Sequence, residues 1–174
     1  LYSGTGIDLI TGGDGADDIR SGAGDDTITG GLGNDYIDAG TGADKVDAGA
    51  GDDRIIMSTE YVSVVGGVGT DQLTLTGTNA NAINLTTVGI EWISAGDGND
   101  NIDGSGQLVA LTIDGNDGDD VLKGGTASDT IYGAEGDNTV SGNAGNDFLY
   151  AGSGNDTILG GTGDDYIDAG TGNN

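Results

Sequence analysis

Aspartate recurs in this chain at Asp8, Asp17, Asp26, Asp35, Asp44, Asp53, Asp71, Asp100, Asp120, Asp129, Asp147, Asp156 and Asp165, over long stretches at intervals of nine residues. Alternate members lie 18 apart, so that Asp8, Asp26 and Asp44 form one series and Asp17, Asp35, Asp53 and Asp71 another. If each series is stacked along an edge, neighbouring carboxylates about 5 Å apart repel by about 1 kcal/mol per pair even in water. A hard divalent cation between them reverses the sign. Calcium takes about six to eight oxygen ligands in adaptable geometry, whereas magnesium demands a tighter octahedron. The chain has no His and no Cys, which leaves zinc and copper without their usual ligands.

Such rows need a scaffold that returns every eighteenth residue to the same edge. Six nonapeptides run without a gap over 3–56: SGTGIDLIT, GGDGADDIR, SGAGDDTIT, GGLGNDYID, AGTGADKVD and AGAGDDRII. The slot 57–65 (MSTEYVSVV) loses the signature and has Val62 at its sixth position, but GGVGTDQLT at 66–74 returns in phase. A second array begins with AGDGNDNID at 95–103 and continues over 115–168 before the final AGTGNN. The eighth position is apolar throughout, from Ile10, Ile19 and Ile28 to Leu149, Ile158 and Ile167, at a spacing of nine except for 10, 10 and 11 in the middle. Each repeat therefore reads as a six-residue glycine-rich turn and a three-residue strand with one inward apolar side chain. Two repeats make one turn of about 18 residues, and turns stack at the strand spacing of about 4.8 Å.

The expectation is one all-β solenoid over 1–174, with roughly nine turns at that spacing. It comprises an N-terminal array (3–56), degenerate wider rungs (57–94, with 66–74 intact) and a C-terminal array (95–174). The register around Ile90-Glu91-Trp92-Ile93 is ambiguous, because Ile90 and Trp92 would share a face that excludes Ile93.

Composition narrows the function. The 174 residues include 38 Gly and no Pro, and 30 acidic against 4 basic side chains give a net charge of −26. Nucleic acid is excluded as a partner, since phosphate neutralisation needs clustered Lys and Arg and only Arg20, Lys45, Arg54 and Lys123 are present. No apolar run is long enough to insert in a membrane. Leu, Ile, Val and Phe make up about a fifth of the chain, at the boundary below which chains stay unfolded. The start lacks an initiator Met and a leader-like segment, so either a signal has been removed or the chain is a fragment of a longer one.

The pattern G-G-x-G-x-D-x-U-x, intact in Gly30 to Asp38 and in Gly160 to Asp168, resembles the repeats-in-toxin nonapeptide of secreted bacterial proteins. The resemblance implies a right-handed parallel β-roll with calcium between successive turns. It also implies a ligand set: the carbonyls of positions two and four and the Asp of one repeat, then the carbonyls of positions one and three and the Asp of the repeat 18 residues on. One such site would use the carbonyls of Gly22 and Gly24, Asp26, the carbonyls of Ala39 and Thr41, and Asp44. Gly13, Gly15, Gly31, Gly33, Gly152 and Gly154 hold the corresponding positions two and four beside Asp17, Asp35 and Asp156. Asn138 replaces the sixth-position Asp and implies a weaker or hydrated site, and sites across 75–94 are expected to be missing. Pairing the remaining turns gives roughly eight to eleven ions.

No enzyme is expected: Ser and Thr lack any base partner, and Asp in a repeated turn serves as a ligand rather than as a general acid. Glu60, Glu91 and Glu135 do not complete an EF-hand loop. Residues 18 apart bring Phe148 over Tyr166 and Tyr132 over Tyr150 on an outward face, which reads first as ordinary outward packing and, as the alternative, as a contact patch for a glycan, a neighbouring domain or another copy of the chain. The implied role is a calcium-binding structural module, exported unfolded and folding outside the cell as a spacer, adhesin or matrix element. The alternatives are an accessory module of an exported enzyme or toxin, and a subunit of a filament stacked end to end or of a surface layer.

Overall fold

A computed structural model describes residues 1–58, 63–85 and 89–174. The chain divides into two compact units, Leu1–Thr76 with Thr87–Trp92 and Gly77–Thr86 with Ile93–Asn174. Glu60 and Val62 lie outside the described residues.

In the N-terminal unit the chain alternates between two parallel sheets. One sheet has the order β1 (Tyr2–Thr5), β3 (Asp18–Ala23), β5 (Tyr36–Asp38), β7 (Arg54–Ser58) and β9 (Gln72–Thr76), and the other β2 (Leu9–Asp14), β4 (Thr27–Leu32), β6 (Lys45–Ala50) and β8 (Ser63–Val68). Partners lie 18 residues apart, as in Ile19↔Ile37 and Ile28↔Val46. This is a parallel β-solenoid with the expected rung.

The C-terminal unit repeats the plan. Its sheets run β11 (Trp92–Ser94), β13 (Thr112–Asp114), β15 (Thr130–Tyr132), β17 (Phe148–Tyr150), β19 (Tyr166–Asp168) and β10 (Ala82–Asn84), β12 (Asn101–Asp103), β14 (Val121–Lys123), β16 (Thr139–Ala144), β18 (Thr157–Thr162). The widened rungs are absorbed in the loops. Ile83 pairs with Ile102 across 19 residues and Ile102 with Leu122 across 20, so the inward column keeps its register.

Eighth-position side chains from Ile19 to Leu149 are buried, while Leu1 and Ile167 in the first and last turns are about half exposed. The structure adds a second inward position. Strands such as β3, β4 and β6 run six residues, through the first glycines of the next repeat, so period-two alternation carries position one to the inside. Ala39, Ala48, Ala95 and Ala151 are fully buried there, and the degenerate repeats hold Met57, Leu75 and Leu85. A local reading of three-residue strands misses this because glycine carries no apolar signal.

Where position four takes a positive φ it requires glycine, and Ala127 holds that position without one. Gly51 has φ +138°, and a Cβ there would collide with the carbonyl oxygen of Gly33 one turn away. Position two is more tolerant, and Asn116, Ala134 and Asn143 occupy it at φ of 64–70°. Gly51→Ala is expected to destabilise the fold by at least about 2 kcal/mol, read as a lower denaturation midpoint than wild type at the same calcium concentration.

The outward aromatics stack as the register requires. Tyr132 and Tyr150 lie 5.0 Å apart and nearly parallel, and Phe148 and Tyr166 lie 6.0 Å apart. In the N-terminal unit Arg20 sits 5.6 Å from the Tyr2 ring and 5.4 Å from that of Tyr36 while pairing with Asp18.

Candidate metal centre

The sixth-position aspartate ends the glycine-rich turn, and in the inner turns its side chain folds inward rather than out to solvent. Asp26, Asp35, Asp44, Asp53, Asp71, Asp100, Asp120, Asp129, Asn138, Asp147 and Asp156 are all buried. Asp8, Asp17 and Asp165, in the outermost turns, are half-buried.

The two carboxylate oxygens have different surroundings. Oδ1 accepts the backbone N–H of the sixth-position residue one turn earlier: Asp17 donates to Asp35 at 2.8 Å, Asp26 to Asp44 at 2.9 Å, Asp53 to Asp71 at 2.8 Å and Asp129 to Asp147 at 2.8 Å. Oδ2 has no hydrogen-bond partner in Asp17, Asp26, Asp35, Asp44, Asp53, Asp71, Asp100, Asp120, Asp147 and Asp156, although each of these atoms is buried. A buried acceptor without a donor costs about 1–3 kcal/mol, and more when charged.

Two asparagines show what that atom faces. Asn138 keeps the ladder, its Oδ1 accepting from Asp120 at 2.9 Å, and its Nδ2 donates to the carbonyls of Gly136 at 3.2 Å and Ala151 at 3.4 Å. Asn81 turns its amide the same way, with Nδ2 near the carbonyls of Asn79 at 3.2 Å and Ala95 at 3.0 Å, and also near Asp100 Oδ1 at 2.9 Å, while its own Oδ1 accepts nothing among the described residues. These carbonyls belong to position four of the same repeat and position one of the repeat one turn on. Where aspartate replaces asparagine, an oxygen stands where a nitrogen donor belongs, facing carbonyl oxygens. At neutral pH a cation satisfies such a set, and an all-oxygen set suits a hard ion such as calcium. Among the described residues no three acidic side chains converge on one point, so backbone carbonyls must supply most of any ligand set.

The carbonyls expected from the sequence line the same edges. Those of Gly13, Gly31 and Gly152 face the glycine 18 residues on, as do those of Gly15, Gly33 and Gly154. The Gly22 carbonyl accepts the Thr41 N–H at 2.9 Å, the Thr41 carbonyl accepts from Gly24 at 2.9 Å, and the Ala39 carbonyl accepts from Ser21 Oγ at 2.7 Å. Each retains a second lone pair.

Besides Val62, Asn138 and Asn174, three further sixth-position residues are not aspartate. Glu91 precedes the strand centred on Ile93, and its Oε2 accepts the Asp71 N–H at 2.9 Å. Asn81 precedes Ile83, and Leu111 precedes Ile113. The sequence signal for all three is their place two residues before the inward column. Leu111 brings no oxygen, and Asp129, whose Oδ1 accepts the Leu111 N–H, has its Oδ2 satisfied by the Gly125 N–H. A second ladder at position five also escaped the sequence pattern: Asn99 accepts from the Asp119 N–H, Asp119 from Asp137, and Asp137 from Asn155. It runs in the opposite sense to the aspartate ladder and is exposed.

Burial pushes Asp35, Asp44, Asp53, Asp100, Asp129 and Asp147 above the ordinary carboxylate range. It takes Asp71 to about 6 and Asp120 to about 7. Accepted N–H bonds oppose the shift, and neighbouring carboxylates add to it.

No curated protein matches the chain. A family model for the RTX calcium-binding nonapeptide repeat matches residues 1–28, 21–55, 86–107, 114–149 and 141–174. These repeats bind calcium and are typical of secreted bacterial proteins. With the nonapeptide period, the parallel solenoid and the matched repeats in agreement, the chain belongs to the RTX calcium-binding nonapeptide repeat family.

Proposed function

We propose that this chain is a structural module of a secreted or cell-surface bacterial protein, folded by calcium after export and acting as a spacer, adhesin or matrix element. The observation that carries this reading is the row of buried Oδ2 atoms without a donor, each placed where Asn138 and Asn81 turn a nitrogen toward two carbonyls. Asp17, Asp26, Asp35, Asp44, Asp53, Asp71, Asp100, Asp120, Asp147 and Asp156 are the ligands assigned, with position-one and position-four carbonyls beside them. Asn138 supplies its own donor and is a weak site or none. Native mass spectrometry of the calcium-saturated chain is expected to find about eight to eleven ions, each bound by oxygen ligands alone. A chain that binds none at millimolar calcium refutes the reading.

Proton and calcium compete for the same oxygens, so pH acts in opposite directions on the two forms. In the ion-free fold Asp71 and Asp120 have pKa values raised from 3.8 to about 6 and about 7. Their protonation therefore favours that fold, fully so below about pH 4, and the benefit is lost as pH rises through about 6 to 7. Metal-free chain is expected to gain strand circular dichroism on acidification from about pH 7.5 to about pH 5, while calcium affinity measured by titration falls over the same range.

A further inference from the structure

The widened rung at 75–94 carries no G-x-G-x-D turn, and on the sequence pattern alone it should be a gap in the row of sites. We infer that it holds a calcium site of its own, closed by Glu91 acting with Asp71. The inference rests on the calcium reading above, and it adds a ligand of a different residue type from a turn of different length.

Glu91 takes over the ladder contact that a sixth-position aspartate makes elsewhere. Its Oε2 accepts the Asp71 N–H at 2.9 Å across 20 residues instead of 18. The backbone closes alongside, with the N–H groups of Glu91 and Trp92 donating to the Asp71 carbonyl at 3.2 and 3.1 Å. The longer glutamate side chain lets the ladder continue although the sequence from 75 to 90 offers only Gly77 and Gly89, the latter followed by the buried Ile90.

A second, independent observation points to a ligand. Asp71 is fully buried, and its Oδ2 has no donor. That oxygen and the Gly89 carbonyl oxygen both crowd the point where a Cβ on Gly66 would stand. The same point on Gly133 is flanked by the Ala151 carbonyl and by Asn138 Nδ2, which donates to that carbonyl. The Asp71 turn thus reproduces the geometry of the asparagine-filled position, with an oxygen in place of the donor. Asp71 Oδ2, the Gly89 carbonyl and the Glu91 carboxylate, with the Gly69 carbonyl at the position that Gly136 holds beside Asn138, offer an all-oxygen set of the kind a divalent hard cation takes. All four residues lie in the N-terminal unit.

Trp92, the only tryptophan, adjoins Glu91 and reports on this site. The test compares wild type, Glu91→Gln and Asp26→Asn, each loaded with calcium and counted by native mass spectrometry, then loaded with terbium and excited at the red edge of tryptophan absorption, where tyrosine is silent. Glu91→Gln keeps an acceptor for the Asp71 N–H and offers its own amide donor, so the fold is retained, as checked by circular dichroism. It is expected to bind one calcium fewer than wild type and to lose most of the Trp92-sensitised terbium emission. Asp26→Asn is expected to lose ions without a change in that emission. An unchanged ion count and unchanged emission in Glu91→Gln overturn the Glu91 site while leaving the aspartate sites standing. A wild-type chain without bound calcium instead overturns the reading on which the site rests.

Discussion

Stripped of calcium by a chelator at neutral pH, the chain is expected to lose its strand signal and expand, and to recover both on return of millimolar calcium. The magnitudes leave little room for another outcome. Ten buried carboxylate oxygens lack donors among the described residues. At about 1–3 kcal/mol each their combined cost is about 10–30 kcal/mol, which exceeds the about 5–15 kcal/mol by which whole domains are stable. The net charge of −26 adds repulsion that few internal cations relieve, since the described ion pairs are the exposed Arg20–Asp18 contact and the half-buried Lys123–Asp103 contact. Small-angle scattering should show the radius of gyration rising toward about 40 Å, the value for an unfolded chain of this length. Strand content unaffected by chelation would show that the carboxylates are satisfied by some other means. Recovery should be steep in calcium, because each sixth-position aspartate touches the turn before it and lies beside the turn after it, so filling one position orders its neighbours.

The inward column and the aspartate edge were legible because both obey one strict period. Any residue 18 positions from Ile19 had to lie over it, and Ile37 does, with Ile55 over Ile37 in turn. What the period hides is the second inward position, since glycine and alanine give no hydrophobic signal at positions such as Ala39 and Ala48. Departures were harder for the same reason. Leu111 and Glu91 sit at position six, but Leu111 looks apolar and Glu91 falls in a stretch where Ile90, Trp92 and Ile93 compete for the inside. The structure resolves that competition by burying both Ile90 and Ile93 and leaving Trp92 half-buried between them at the start of β11. The separate tasks of Oδ1 and Oδ2 could not be read from the sequence at all, because they depend on which neighbour's N–H reaches the carboxylate across a turn.

That division of labour makes the second large effect a reversal rather than a loss. Along one edge of the C-terminal unit lie Asp100, Asp120, Asn138, Asp156 and Asn174, each side-chain Oδ1 after the first accepting the N–H of the residue before it at 2.7–2.9 Å. The double variant Asp120→Asn, Asp156→Asn keeps those acceptors and turns amide nitrogens toward the carbonyls, as Asn138 already does. Without calcium it is expected to be more stable than wild type by about 2–6 kcal/mol, having lost two unpartnered oxygens at about 1–3 kcal/mol each. With calcium in excess the order reverses. Wild type gains about 1.4 kcal/mol per site at ten times the dissociation constant and more above it, while the variant has fewer sites to fill. Denaturation midpoints plotted against calcium should therefore cross. The pair Asp120→Ala, Asp156→Ala should not cross, because it removes the acceptors for Asp100 and Asn138 and supplies no donor, leaving the chain weaker at every calcium concentration. Parallel curves for the asparagine variant, below wild type throughout, would mean that Oδ2 is not the atom calcium serves.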